Sequence, residues 1–390
     1  MTVAPRPGEP LAAPSPATEP LWPSADALAG VTARLAASAP LVTPADCADL
    51  RTQLAAVASG AAHLVQGGDC AELFDEVSAH TTRRKAAQLT ELADLVEIAT
   101  AVPALTVGRI AGQFAKPRSS AVERLPDGGS LPVYRGDAVN ALEADPAARV
   151  PDPARLLTAR ERAASIHATL DVLAAASGRR VFTSHEALLL DYENALVRPA
   201  ASGPYGGSAH LLWAGERTRD PAGPHIGLLS RITNPVAVKL GPATAREDLQ
   251  ALIDVLDPQR TPGRLSFVAR MGAGHVRRVL PALAGAAREA GCLPVWICDP
   301  MHGNGQRAAS GRKIRLVDDV RTEVAGFVAA LREAGAHPGG IHLELTPDDV
   351  TECVDLPDDP TPRYWTGCDP RLNPAQARDV VRAFAAAVSP

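Results

Sequence analysis

Eight short apolar runs punctuate the chain from residue 60 onward, and stretches of helical spacing separate them. The runs are His63 to Gln66 (HLVQ), Ala104 to Val107, Val181 to Thr183, Leu211 to Ala214, Val236 to Leu240, Leu265 to Ala269, Val295 to Cys298 and Ile341 to Leu345. Between them apolar residues recur every three or four positions, as at Leu89, Leu92 and Val96, at Leu249, Leu252 and Val255, or at Val320, Val324, Phe327 and Leu331. That spacing predicts helices with one buried face. The punctuation agrees: Thr244-Ala-Arg-Glu247 reads as a capping box, Gly291 and Gly335 fall at helix C-termini, and Asn373-Pro374 suits an N-cap and first turn. Apolar runs without polar alternation, joined by helices, predict parallel strands covered on both faces. Eight such units predict an α/β fold, a closed (β/α)8 TIM barrel, with chemistry on the loops that follow the strands. An open doubly wound sheet is the competing architecture, but neither GxGxxG nor GxxxxGK[ST] follows the first run.

The barrel accounts for residues 60–390. Residues 24–59 are expected to form an N-terminal helical extension, with helices over Ala25 to Ala37 and Pro44 to Ala58. Seven prolines among residues 1–23 make that stretch a poor helix and a poor strand, hence a poorly ordered arm. Its functional alternative is a subunit-docking arm anchored by Leu21 and Trp22.

Composition excludes whole classes of partner. A formal charge of -5 without a dense Lys/Arg run lacks the basic footprint that nucleic acid or a membrane surface requires. Six cysteines with no CxxC pair do not make a disulfide framework. No apolar run is long enough to span a membrane, and the N-terminus lacks the layout of a signal peptide. A cytoplasmic protein is expected.

A barrel hypothesis says where to look for chemistry. At or just past the eight run ends stand Cys70, Arg109, His185 and Glu186, Glu216 and Arg217, Lys239, Arg270, Asp299 and His302, and Glu344. One thiol (Cys70, in VQGGDCAELF), one imidazole (His302, in DPMHGN) and two carboxylates (Glu344, and Asp369 in GCDPR) can together hold a divalent Mn, Co, Fe or Zn ion. The closely spaced cysteines of a structural zinc are missing, so such an ion would be catalytic. Taken singly, a buried cysteine more often packs and a loop histidine more often forms a hydrogen bond. Arg109, Lys116, Arg118, Arg217, Arg219, Lys239 and Arg270 form a cationic set suited to small phosphorylated anions. Lys239 also admits a Schiff-base reading, that of a metal-free aldolase, and the same cations could serve a protein that binds phosphorylated metabolites without turning them over.

At these segments the chain resembles the type II, plant-like 3-deoxy-D-arabino-heptulosonate 7-phosphate (DAHP) synthases, in a short form. The matching stretches are VQGGDCAE, GRIAGQFAKPRS, TSHEALLLDYE, WAGERTR, NPVAVKLGP, ARMG, VWICDPMHGN, GGIHLELTPDDVTEC and CDPRLN. The resemblance implies a metal-dependent condensation of phosphoenolpyruvate with erythrose 4-phosphate. Carried over by motif, Cys70, His302, Glu344 and Asp369 would ligate the ion, Mn2+ or Co2+ ahead of Zn2+ or Fe2+. Arg109, Glu216, Arg217, Lys239 and Arg270 match phosphoenolpyruvate-binding positions, and Lys116, Pro117, Arg118 and Ser119 the site of the aldose phosphate. Cys70, Lys239, His302, Glu216 and Asp299 would be the catalytic set. In VQGGDC, the glycines would let the backbone turn closely after the strand and deliver Cys70 as a thiolate. Cys368 would lie near enough to Cys70 for an oxidative disulfide. A homodimer or tetramer, weak inhibition by Phe, Tyr and Trp, and a role in specialised metabolism are further expectations. Leu73, Gly274 and Gly305 depart from the family pattern, which keeps an aminated tetrose phosphate, giving aminoDAHP, as an alternative. A non-catalytic, partner-binding paralogue is the remaining one.

Overall fold

The computed structural model describes residues 19–118, 120–124 and 128–389. Most of the proline-rich arm, and Ser119, lie outside the described residues. Eight parallel strands close into a barrel in chain order: β1 (His63–Gly68), β2 (Ala104–Arg109), β3 (Phe182–Glu186), β4 (Leu211–Ala214), β5 (Val236–Leu240), β6 (Leu265–Ala269), β7 (Val295–Cys298) and β8 (Pro338–Glu344). β8 pairs back onto β1, which completes the closure.

β4 to β7 coincide with their apolar runs, whereas β1, β2, β3 and β8 reach further, because backbone pairing needs no apolar side chain. Gly68 pairs with both Glu344 and Arg109. This corrects the expectation of a glycine-rich loop: both glycines are still strand. A Cβ on Gly68 would lie 2.4 Å from the Arg109 carbonyl oxygen, so the neighbouring strand's close approach is what demands glycine there.

Among the described residues ten α-helices accompany the strands: α1 (Ala25–Ala37), α2 (Pro44–Ala58), α3 (Ala79–Thr100), α4 (Arg155–Ser177), α5 (Leu190–Leu196), α6 (Pro224–Arg231), α7 (Arg246–Leu256), α8 (Val276–Glu289), α9 (Val317–Glu333) and α10 (Pro374–Val388). From α3 onward each follows a barrel strand and covers the outer face of the sheet. α7 begins one residue later than the Thr244 capping box would have it. Its N-cap is Ala245, whose amide donates to Asp248 at 3.3 Å, and the Thr244 hydroxyl is buried without a partner among the described residues. Asp248 rather than Glu247 is the residue that reaches back, since it stands at the third position after the true cap.

α2 shuts the N-terminal end of the barrel. Its Leu50, Leu54, Val57 and Ala58 pack with Leu64, Val107, Phe182, Leu211, Val268, Val295 and Ile297 into one core. Fully burying such a side chain is worth about 1.5–3 kcal/mol, so the plugged end is the stiff end and the open end is left for function. α1 packs on α4 and α5, and Trp22 donates its Nε1–H to Asp191 of α5 at 3.0 Å. Trp22 is thus engaged within its own chain, while Leu21 stays exposed. At the open end, the hairpin of Val122–Arg124 with Ser130–Pro132 follows β2, and a small sheet of Gly305–Arg307, Lys313–Leu316 and Cys353–Val354 follows β7 and β8. Among the described residues no helix is long and apolar enough to cross a membrane.

Candidate active site

A cavity of about 500 Å3 opens at the C-terminal ends of the strands. It is lined by Cys70, Arg109, Lys116, Pro117, Glu216, Arg217, Lys239, Arg270, His302, Glu344 and Asp369 among others. Eleven of the sequence-derived candidates therefore share one space. Arg118 is not part of the lining, and Asp299 lies beneath it, fully buried.

The donor atoms of Cys70, Glu344 and Asp369 lie within 4.8 Å of one another. His302 joins them through Glu344, with Nε2 3.0 Å from Oε1. The other ring nitrogen, Nδ1, lies 2.8 Å from Asp299 Oδ2, an arrangement that fixes the ring and aims Nε2 at Glu344. Cations already sit among these groups. The Lys116 ammonium bonds both the Cys70 sulfur and the Asp369 carboxylate, Lys313 reaches Asp369 at 2.6 Å, and Arg315 lies 2.8 Å from Glu344 Oε2. Burial opposes charge on Glu344 and Asp369, but His302 and Arg315 beside the first, and Lys116 beside the second, hold both well below the usual carboxylate range. A soft thiol, an imidazole and two ionised carboxylates, with an ammonium lodged between sulfur and carboxylate, fit a divalent transition ion. Burial pushes the Cys70 thiol up, and its hydrogen bond with Cys368 brings that second thiol down to about 7.

The stretch Asp69-Cys70-Ala71-Glu72 explains how the thiol is held. Asp69 bonds Lys85 and accepts from Arg371 at 2.7 Å, and Arg371 forks onto Glu352 at 3.0 and 3.1 Å. Glu72 accepts the amides of Ala111, Gly112 and Gln113 at 3.3, 3.1 and 3.0 Å, clamping the loop between Arg109 and Lys116. The two acids flanking the cysteine are therefore anchors: one ties the loop after β1 to the loop carrying Asp369, the other to the loop after β2.

Lys239 and Arg109 form the floor. Lys239 Nζ lies 2.8 Å from Asp299 and 3.3 Å from His342, and burial lowers its pKa against the pull of Asp299. Arg109 donates to His342 Nε2 at 2.6 Å and to Glu344 at 3.1 Å, with its guanidinium over the Trp213 ring. Arg270 donates to the His302 carbonyl, and Arg217 stands exposed at the rim. Glu216 is bonded by Arg219 at 3.3 Å, yet its Oε2 is buried without a hydrogen-bond partner among the described residues.

Several residues of the site carried no apolar-run signal. His342 precedes Glu344 by two positions on β8 and so shares its face, which strand alternation could have revealed. Gln66, whose Oε1 accepts a hydrogen bond from His342 Nδ1 at 2.8 Å, follows the same logic on β1. Lys313 and Arg315 come from the accessory strand, where nothing local marks them as facing a cavity.

Comparison with known proteins points one way. The profile of the class-II DAHP synthetase family matches residues 12–179 and 167–387. The chain is 43% identical over 93% of both chains to a phospho-2-dehydro-3-deoxyheptonate aldolase of Streptomyces coelicolor. It is 44% identical, over 95% of both, to a probable phospho-2-dehydro-3-deoxyheptonate aldolase of Pseudomonas fluorescens. The structure of a phospho-2-dehydro-3-deoxyheptonate aldolase from Francisella tularensis superposes with a TM-score of 0.56, covering 92% of this chain and 96% of that one. At 15% identity this last likeness speaks for the fold alone.

Proposed function

The chain belongs to the class-II DAHP synthetase family, and from that premise we propose that it condenses phosphoenolpyruvate with D-erythrose 4-phosphate and water to give 3-deoxy-D-arabino-heptulosonate 7-phosphate and phosphate. The observation that carries the reading is that the Cys70, His302, Glu344 and Asp369 donors open onto the same cavity as Arg109, Arg217, Lys239 and Arg270. A divalent ion held by those four donors, Mn2+ or Co2+ ahead of Zn2+ or Fe2+, would supply Lewis acidity at the aldehyde oxygen.

The chain's own residues do the rest. Arg217, Lys239 and Arg270 hold the phosphate of phosphoenolpyruvate and Arg109 its carboxylate side, so that orientation entropy is spent before the chemistry. Lys239 is paired with Asp299 at 2.8 Å, and this pairing favours anion binding over the Schiff-base role. Lys116 and Pro117 border the space for the aldose phosphate, next to Arg118 and Ser119 in sequence. Asp299 keeps His302 in orientation, and Glu216 is a candidate to manage water. Gly274 and Gly305 have open space around a would-be Cβ, so these departures remove side chains without reshaping the wall. The aminated aldose remains the second substrate to try. Assembly into a homodimer or tetramer and service to shikimate-derived specialised metabolism belong to the same proposal.

The test is phosphate release from phosphoenolpyruvate with a panel of aldose phosphates, with and without chelator. Erythrose 4-phosphate should be fastest, and chelator should abolish turnover until Mn2+ or Co2+ is restored. Chelator-resistant turnover with borohydride trapping at Lys239 would mean a Schiff-base aldolase instead. Absence of turnover with every aldose phosphate would leave the paralogue reading.

A further inference from the structure

Glu323 stands on α9, outside the barrel wall, and is fully buried. Its Oε1 accepts the amides of Met271 and Gly272, each at 2.8 Å, and its Oε2 accepts the side-chain amide of Asn304 at 2.7 Å. Asn304 carries the link onward. The same nitrogen donates to the Pro300 carbonyl at 2.8 Å, and Asn304 Oδ1 accepts the Ala273 amide at 3.0 Å. One carboxylate and one carboxamide thereby tie the loop after β6, Arg270 to Ala273, to the loop after β7, Pro300 to Asn304. The loops are pressed together where they are tied. A Cβ on Gly303 would lie 2.3 Å from the Gly272 nitrogen, and Gly272 itself takes a φ of +83°, which favours glycine.

Each loop delivers one side chain to the cavity: Arg270, just before the first bonded amide, and His302, two residues before Asn304. Arg270 in turn donates to the His302 carbonyl. The cation assigned to phosphoenolpyruvate and the imidazole assigned to the ion therefore share one support, and Glu323 is its base. Neither Glu323 nor Asn304 lines the cavity, so both act only through other residues. Burial pushes the Glu323 carboxyl up to about 8, although all three of its partners donate and so favour the ionised form. A methionine would fill the space without that cost, but it would accept nothing from the three donors.

We propose that Glu323, acting through Asn304, is a positioning residue that fixes Arg270 and His302 relative to each other, so that the phosphate site and one metal donor are set as a unit. The proposal rests on the condensation reading for the identity of the two ligands. Lys116 and Pro117, which border the space for the aldose phosphate, lie on the loop after β2, and none of the hydrogen bonds of Glu323 or Asn304 given above reaches that loop. Disturbing the support is thus felt at phosphoenolpyruvate and at the ion, and not at the aldose.

The experiment inverts the bond between the two side chains. Glu323→Gln sets a donor against the Asn304 donor, Asn304→Asp sets a carboxylate against the Glu323 carboxylate, and the double variant faces a donor with an acceptor again. Calorimetry reads phosphoenolpyruvate binding to metal-free protein and Co2+ binding without substrate, and steady-state rates at saturating Co2+ give KM for each substrate. Each single variant should weaken both ligands by about tenfold or more, and should raise KM for phosphoenolpyruvate while leaving KM for the aldose phosphate within about twofold of wild type. The double variant should bind both ligands more tightly than either single variant. Single variants that melt earlier yet bind both ligands within about twofold of wild type would show a merely structural role and overturn the proposal, as would losses that simply add in the double variant or two KM values that rise together. Should a single variant fail to fold, Asn304→Ala carries the test, because it removes the link without opposing like groups; unchanged affinities there overturn the proposal. The binding measurements need no turnover, so a wild type that binds both ligands without condensing them ends the condensation reading while these comparisons still decide the role of Glu323. A wild type that binds neither ends both.

Discussion

Replacing Arg371 with leucine should loosen the proposed metal donors from beneath. Arg371 is 6% exposed, and its guanidinium bonds Asp69 at 2.7 Å and Glu352 at 3.0 and 3.1 Å, so this residue two past Asp369 holds the neighbour of Cys70. Leucine fills part of the space but leaves Asp69 with Lys85 alone, and Glu352 with backbone amides alone. Breaking a buried ion pair from one side costs about 3–5 kcal/mol. With roughly 2.1 cal/mol/K of unfolding entropy per residue over 390 residues, that cost lowers Tm by about 4–6 °C. Displacing groups that orient ligands should also weaken metal binding by about 10–100-fold. Calorimetry reads the first effect and a Co2+ titration the second. Arg371→Lys should fall between, since one ammonium cannot fork onto Glu352 and still reach Asp69. Asp69 is held below its ordinary pKa, burial notwithstanding, by Lys85 and Arg371. Its contribution is present above the unfolded pKa and lost as pH falls through the folded one, so R371L should show a shallower acid loss than wild type. A Tm within about 1 °C of wild type together with unchanged metal affinity would refute the clamp.

Other outcomes follow from the same contacts. Lys116 shares Cys70 and Asp369 with the proposed ion, so metal should strengthen aldose-phosphate binding by freeing the ammonium, and Lys116→Met should erase that coupling in paired titrations; unaltered coupling refutes it. His63 and His167 are pushed down to about 4 and His210 to about 3, all by burial first. The unfolded chain binds their protons below about 6.5, so stability is complete above that pH and falls toward pH 4 by roughly 1.4 kcal/mol per unit for each; denaturant midpoints flat from pH 7 to about 5 would contradict this. Diamide or air should join Cys70 to Cys368, which already share a hydrogen bond, at the expense of metal binding, and peptide mapping that finds both thiols free after oxidation would exclude it. Phe, Tyr and Trp should inhibit weakly or not at all; sub-millimolar inhibition by any one would reverse that expectation.

The barrel was legible because its strands are buried on both faces and so announce themselves as apolar runs. Where a strand is made of glycine and polar residues, the signal stops short: Gly67 and Gly68 read as loop, yet backbone pairing to β2 and β8 keeps them in register. Cys70, His302 and Glu344 stood at or just past run ends, where the barrel geometry directs side chains inward, whereas Asp369 lies well beyond the last run and was legible only through GCDPR. Lys313 and Arg315 were illegible for the opposite reason, because their strand belongs to a small sheet at the open end and has no apolar run. His342 and Gln66 were legible in principle through alternation but are hidden inside segments that read as plain core. The start of α7 was misread by one residue because Glu247 and Asp248 are adjacent acids, and only coordinates tell which one reaches back.

Nearly every buried acid of the site already sits on a cation: Asp369 on Lys116 and Lys313, Glu344 on Arg109 and Arg315, Asp299 on Lys239, Asp69 on Lys85 and Arg371. Such pairing lets the chain bury a dense set of charges before any ligand arrives, because each of these carboxylates has an opposite charge beside it. It also means that an incoming anion or metal exchanges partners with groups already in position, so little reorganisation accompanies binding. Glu186 breaks the pattern. Among the described residues it has no ion pair, its Oε1 is buried without a hydrogen-bond partner, and Gly215 leaves room for it, since a Cβ there would lie 2.2 Å away. A chain that pairs its other acids so thoroughly leaves a local rule unmet at this one place on the cavity wall, as chains do where function rather than stability sets the residue.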